Sequence, residues 1–193
     1  MSSILTNLRS AVITGFVFAI ILIFFLAQGS FDQTAFNMWI LRWMHVLSGI
    51  MWVGILYYFN FVQIPNMPNI PDDQKPAISK VIAPAALWWF RWGAVATVVT
   101  GFILAHLNGY LHDAMTFSNG HWPIGVGMWL AIIMFLNVWL VIWPNQKKAL
   151  GIVEVDAETK ANAARKAMLF SRKNTILSIP MLVAMTVAQN SFS

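Results

Sequence analysis

The four histidines of this sequence, His45, His106, His112 and His121, are its residues best suited to chemistry. Imidazole is the commonest metal ligand of proteins and also holds haem iron, and a titratable side chain inside an apolar segment indicates a functional site. The chain contains no cysteine, which excludes disulfides, thiolate ligands, iron–sulfur clusters and covalent c-type haem attachment. Imidazole ligation of haem iron or another metal is therefore the chemistry to expect.

The elements that must position these histidines are membrane helices. The chain has 193 residues, of which 59% are hydrophobic and 10% are charged, whereas a soluble domain carries about 25% charged residues. A span needs about 20 mostly apolar residues, and five candidates are predicted, at about 11–29, 38–62, 84–107, 124–143 and 174–190. We expect an all-α membrane protein, a bundle of about five transmembrane helices forming one integral membrane domain over residues 1–193.

The basic residues predict how the chain crosses the bilayer. Seven of the twelve lie in the connection 144–173, two lie between spans two and three, and Arg9 precedes span one, whereas loops 30–37 and 108–123 have none. The positive-inside rule then predicts a cytoplasmic N-terminus and connection, with all four histidines toward the periplasmic face of a bacterial inner membrane. This topology accounts for the net charge of +5, so we expect a lipid bilayer rather than nucleic acid as partner.

The loops carry two further predictions. Asp156, Glu158 and the alanine-rich run through Ala167 indicate a short amphipathic helix on the cytoplasmic surface. Residues 63–83 are expected to form an irregular loop because of four prolines, Pro65, Pro68, Pro71 and Pro76. Tryptophans favour membrane interfaces, and four are expected at the inner one, namely Trp88, Trp89, Trp92 and Trp143.

His45 and His106 fall in the outer halves of two neighbouring spans. A b-type haem with two histidine ligands needs this arrangement, with iron held between facing helices. Ser48 and Gly49 share the helical face of His45 and leave room for a flat macrocycle, and Trp52 would pack against its edge. Arg42 is placed to snorkel to the interface or to pair with a haem propionate.

Other interpretations of the same residues remain open. A lone intramembrane histidine is often an interhelical hydrogen-bond partner, and His112 and His121 suit a solvated outer loop. A copper or zinc site is a further alternative, built from His106, His112, Asp113 and His121. Asn137 in the middle of span four must be hydrogen-bonded inside the bundle, and we expect a structural role for it and for Asn145 and Gln146.

Several stretches resemble the membrane domain of bacterial membrane-bound urate oxidases. The most specific is the span bearing Asn137 that runs into Pro144-Asn145-Gln146-Lys147-Lys148. Further similar stretches are Arg42-Trp43-Met44-His45-Val46 with Trp52-Val53-Gly54, then Trp89-Phe90-Arg91-Trp92 with Gly101-Phe102, and Asn174 with Leu177-Ser178-Ile179-Pro180. The resemblance implies a multi-span domain that, in the full-length family, hands electrons to a fused c-type cytochrome on the periplasmic side. This chain looks like a shortened version without the cytochrome c domain.

Together these features predict an inner-membrane electron-transfer protein that binds b-type haem near the periplasmic face. It would work as a subunit of a larger membrane redox complex or with a periplasmic cytochrome c. The alternatives are a non-redox accessory subunit of a membrane complex, without cofactor, and the periplasmic copper site. Hydrolase chemistry is not expected, because no Ser/His/Asp set converges, H-E-x-x-H is absent and the spans contain no acidic residue.

Overall fold

The computed structural model describes residues 2–27 and 32–187, which form helices and turns without any β-strand. The chain divides into two compact units, Met1–Trp39 and Ile40–Ser193. The α-helices in the described ranges are α1 (Ser2–Leu5), α2 (Leu8–Leu26), α3 (Gln33–Tyr57), α4 (Ile64–Asn66), α5 (Lys75–Ala77), α6 (Ala83–Leu107), α7 (Leu111–Thr116), α8 (Trp122–Leu136), α9 (Trp143–Ala149) and α10 (Ala157–Val187). The same ranges contain three π-helices, π1 (Tyr58–Gln63), π2 (Ile78–Ile82) and π3 (Asn137–Ile142), and a 3₁₀ turn, Met67–Asn69.

Four stretches of the described residues are long and apolar enough to cross a membrane: Leu8–Leu26, Gln33–Asn69, Lys75–Leu107 and Trp122–Ala149. They correspond to the first four predicted spans, which confirms the all-helical class and supports a membrane protein. The fifth prediction, 174–190, falls within α10 as far as residue 187, and residues 188–190 lie outside the described ranges. The total of five spans and the cytoplasmic N-terminus therefore stay predictions.

The first unit is dominated by α2, whose sequence is almost continuously apolar. The side-chain oxygen of Asn7 accepts a hydrogen bond from the backbone N–H of Ser10 at 3.3 Å and so caps the start of the helix. No residue of α2 is buried. A surface of exposed leucine, isoleucine and phenylalanine suits a hydrocarbon solvent rather than water.

The predicted irregular loop over 63–83 is wrong, because most of this segment is helical. Only residues 70–74 lie between the helical stretches. Proline has no N–H and its ring crowds the carbonyl four residues back, but long membrane helices absorb this by local widening into π turns. The residues that precede Pro65, Pro84 and Pro144 each donate to the carbonyl five residues back, at Phe59, Ile78 and Val138 respectively. A wide turn thus precedes each of these prolines.

The prediction of a short surface helix within a 144–173 connection is also wrong. Both carboxylate oxygens of Asp156 accept from Thr159, at 2.8 and 2.6 Å, and cap the start of α10. The helix then runs without interruption to Val187. Its buried positions are mostly small and recur every three or four residues along one face, at Ala163, Ala167, Ser171, Asn174, Ser178, Met181 and Ala184. Small residues let helices approach closely, and this face packs on α8 and α9.

The core of the second unit lies between α3, α6, α8, π3 and α10. Its largest fully buried side chains are apolar apart from one tryptophan, one asparagine and one serine: Trp52, Phe90, Leu56, Leu87, Met134, Ile142, Val138, Asn174 and Ser178. A smaller cluster of Ala105, Ala114 and Met128 joins α7 to α6 and α8. These two clusters fix the helices that surround the candidate site.

Candidate cofactor cavity

The second unit contains a half-open cavity of about 640 Å³ with a mostly apolar wall. The wall is formed by α3, α6, α8 and α10, together with Tyr110 at the start of α7. Four of the six residues predicted to hold a cofactor line it: Arg42, His45, Gly49 and Trp52. The volume lies within the range of about 300–1,000 Å³ that is typical of ligand pockets. The structure therefore gathers most of the predicted set around one space.

His45 is held by α6 through only one of its two ring nitrogens. Its Nδ1 lies 2.8 Å from the backbone oxygen of Thr97 and 3.2 Å from the hydroxyl oxygen of Thr100. A carbonyl can only accept, so Nδ1 carries the proton and Nε2 bears a free lone pair. No hydrogen bond joins Nε2 to another described residue. A histidine whose Nδ1–H is fixed by a carbonyl has the arrangement usual for metal-ligating imidazoles.

Gly101 of α6 makes the position of the His45 ring possible. A Cβ atom at Gly101 would lie 2.9 Å from His45 Cε1 and 3.2 Å from its Nδ1. At Gly49, the glycine singled out from sequence, a Cβ would meet only Thr97 Cγ2 at 3.9 Å, an ordinary contact. Gly101 was not predicted as a site residue, because its importance comes from contact with His45 on another helix, which the sequence does not show.

Two of the six predicted cofactor residues lie away from the cavity. Ser48 donates its hydroxyl to the Met44 backbone oxygen at 2.7 Å and does not line the space. His106 is exposed and, five residues beyond Gly101, it is rotated about 140° around α6 from the face that meets His45. The two-histidine ligation of one iron by His45 and His106 is therefore not assembled in this structure.

One end of the cavity is marked by Arg42 and Tyr110. Burial raises the pKa of the Tyr110 phenol, and the positive charge of Arg42 lowers it in part. The Tyr110 ring stacks on the His121 ring, with centroids 5.4 Å apart and planes at 28°. Further along the wall, Trp52 is fully buried and its indole N–H has no hydrogen-bond partner among the described residues.

His112 and His121 lie around a short turn organised by Asp113. The carboxylate accepts hydrogen bonds from Asn119 at 2.9 Å and Ser118 at 3.0 Å. These bonds hold the pKa of Asp113 below its usual value, and the nearby imidazoles add to the lowering. Residues 2–27 and 32–187 contain no group of three or more His, Cys, Asp or Glu side chains that could hold a metal ion. The copper alternative therefore has no ligand set of that size in these ranges.

The opposite half of the unit is joined by a polar seam, formed by Asn60, Ser171, Asn174 and Asn137. Asn137 donates to the Asn174 side-chain oxygen at 2.9 Å, and Asn174 in turn donates to the Met134 backbone oxygen at 2.9 Å. Asn60 donates to the Ser171 hydroxyl at 2.7 Å. Asn145 instead bonds locally to the Val141 oxygen at 2.7 Å, and Gln146 lies beside it in α9. This seam connects π1, α8 and π3 to α10.

Comparison with known proteins finds a similarity over part of the chain. Residues 111–192 match the family model "Urate oxidase N-terminal". The match begins at α7 and includes α8, π3, α9 and α10, so it confirms the predicted resemblance over less than half of the chain. His45 and Gly101 lie outside the matched residues. No curated protein and no solved structure matches the chain.

Proposed function

We propose that this chain is an electron-transfer protein of the bacterial inner membrane and binds b-type haem. Its residues 111–192 are similar to the urate oxidase N-terminal family. The haem would occupy the 640 Å³ cavity, with His45 as axial ligand. The observation that carries this proposal is the Nδ1–H bond of His45 to the Thr97 carbonyl at 2.8 Å. It fixes the ring on the cavity wall and leaves Nε2 as a lone-pair donor without a partner in residues 2–27 and 32–187.

The other wall residues fit a haem in charge and polarity. Arg42 at one end supplies a cation for a propionate, and the apolar faces of α3 and α8 suit a porphyrin ring. His106 lies away from the cavity, so any further ligand would come from the wall, where three methionines lie: Met128, Met181 and Met185. Methionine and histidine together are an established haem ligand pair. Bound haem would supply one-electron transfer.

The proposed partners follow from the family resemblance and the predicted topology. With a cytoplasmic N-terminus, the end marked by Arg42 and Tyr110 faces the periplasm. Electrons would then pass between a membrane redox complex and a periplasmic c-type cytochrome, for which this chain would act as a subunit. Oxidation of urate by the chain alone is not part of the proposal.

One observation favours the second candidate, a non-redox accessory subunit. The His45 ring bonds to the Thr97 backbone and packs on Gly101, and an interhelical structural histidine would look the same. Under this alternative the cavity holds lipid or a partner helix, and no visible chromophore belongs to the chain.

The absorption spectrum of the purified full chain separates the two candidates. A reduced-minus-oxidised α-band should appear in the wild type and in His106→Ala, and should be lost in His45→Ala, because the axial ligand is gone. His106→Ala is the matched control, since it removes an imidazole that lies off the cavity. A full haem spectrum from folded His45→Ala protein would refute the assignment, and a colourless wild type made in haem-replete cells would support the accessory role.

A further inference from the structure

An arginine without an acidic partner lies within the third span. The Arg91 guanidinium stacks on the indole of Trp143, with its carbon 3.4 Å from the ring centroid. Within the described residues Arg91 makes no ion pair or hydrogen bond, and its Nη1 is buried without a partner. A cation in an apolar segment is costly unless an acceptor reaches it, so the remaining guanidinium donors need an anion that the described residues do not supply.

A second cation shares the same indole. Lys147 Nζ lies 5.7 Å from the Trp143 ring centroid, one helical turn along α9. The salt bridge found in the described ranges, between Lys75 and Asp72, involves neither cation. Arg91, Trp143 and Lys147 therefore form a positively charged cluster around one indole, and each of the three residues is partly exposed.

The surface beside this cluster is apolar and aromatic. Trp88, Trp89 and Trp92 of α6 are 49%, 54% and 49% exposed, and the rings of Trp88 and Trp89 meet edge to face at 4.9 Å. Indoles favour the membrane interface, where an apolar body and one N–H are both accommodated. The cations thus lie where lipid headgroups meet acyl chains rather than in open water.

We infer that Arg91, Trp143 and Lys147 bind the headgroup phosphate of an anionic phospholipid. The planar guanidinium would donate to phosphate oxygens, Lys147 would add a second charge, and the acyl chains would lie along the exposed tryptophans of α6. Basic pockets between membrane helices are the established mode of recognition for such headgroups. The leaflet is the one next to α9, which the charge distribution predicts to be cytoplasmic.

Native mass spectrometry of the full chain in mild detergent tests this site. Phosphatidylglycerol should bind more tightly than phosphatidylcholine, because only the former has a net negative headgroup. Arg91→Gln should weaken phosphatidylglycerol binding about tenfold and Lys147→Gln about fivefold. Lys166→Gln removes an equal charge from an exposed position of α10 and should leave the affinity unchanged.

Thermal unfolding keeps the inference falsifiable if Arg91→Gln does not fold. Phosphatidylglycerol should raise the melting temperature of the wild type and of Lys166→Gln more than that of Lys147→Gln. Equal affinity of the Lys147→Gln and Lys166→Gln proteins would overturn the site. Stabilisation by inorganic phosphate equal to that by phosphatidylglycerol would also overturn it, because the ligand would then be a free anion rather than a lipid.

Discussion

The two halves of the second unit join their helices in different ways. In the polar seam, Asn174 uses its oxygen toward Asn137 and its nitrogen toward Met134, and the helices close around it. At the cavity, His45 uses Nδ1 toward Thr97, and its Nε2 bonds to none of the residues that the structure describes. A side chain that satisfies both of its ends with protein builds structure. A side chain in an apolar wall that bonds to protein through only one of its polar atoms can bind a ligand through the other.

The chemistry of the two side chains also explains why the seam uses asparagine and the cavity wall uses histidine. An amide carries an acceptor oxygen and a donor nitrogen on one carbon, so a single side chain can accept from one neighbour and donate to another. An imidazole with one fixed nitrogen presents the other at the far side of the ring. The seam is not fully satisfied, since the Asn60 side-chain oxygen has no partner, but its bonds run between helices rather than into a space.

The largest effect is expected from breaking the seam at its centre. Asn174→Ala removes a fully buried amide, takes the acceptor of the Asn137 side chain away and leaves the Met134 carbonyl with only its backbone bond from Asn137. The free energy of unfolding should fall by about 2–3 kcal/mol, as measured by denaturant unfolding in detergent. Asn145→Ala is the matched control, because its bond to Val141 is local, and it should cost less than about 0.5 kcal/mol. Equal effects of the two variants would mean that the seam adds nothing to stability.

A smaller and more local effect is expected from crowding the cavity. Gly101→Ala forces the His45 ring to move, since the new Cβ would stand 2.9 Å from Cε1. Overpacking of this kind costs about 1–3 kcal/mol, and a haem α-band should weaken with it. Gly49→Ala meets only the 3.9 Å contact and should keep both stability and spectrum. A normal spectrum in Gly101→Ala would show that the ring position does not matter to the ligand.

The smallest effect concerns pH at the turn beyond the cavity. The folded-state pKa of Asp113 is lowered by its bonds from Asn119 and Ser118. Its stabilising contribution is therefore present above the unfolded-state pKa and is lost as the pH falls through the folded value. The melting temperature of the wild type should drop more steeply below about pH 4 than that of Asp113→Asn. If the melting temperatures of the two proteins fell equally steeply at acid pH, this role of Asp113 would be contradicted. Asp156 titrates in both proteins, so the difference isolates Asp113.

Most site residues on one helix could be predicted, with Ser48 as the exception, whereas the parts that depend on two helices could not. Arg42, His45, Gly49 and Trp52 recur at intervals of three or four, which places them on one face of α3 whatever packs against it. The prediction that His106 lines the same site was wrong, because the depth of a residue in the membrane does not determine its angular position around α6. Gly101 could not be recognised without knowing that it faces His45.

The fold shows the same division between local and distant information. The first four spans follow from apolar length alone, whereas the continuity of α10 was hidden by the charges of its first half, such as Arg165 and Lys166. Prolines were read as helix breakers because that is their effect in water. In the apolar stretches around Pro65, Pro84 and Pro144 the chain instead keeps its helical course, since unpaired backbone groups cost more in lipid than a widened turn.

Those widened turns also set the angular register of everything after them. In a helix of about 3.6 residues per turn, one additional residue in a turn advances the following side chains by about 100°. Trp143 is the first residue after π3, so its direction depends on that extra residue. Shortening π3 by one residue would rotate α9 backwards by the same angle and carry the indole of Trp143 away from Arg91. The number of residues between Asn137 and Pro144 therefore determines whether Trp143 can stack on Arg91.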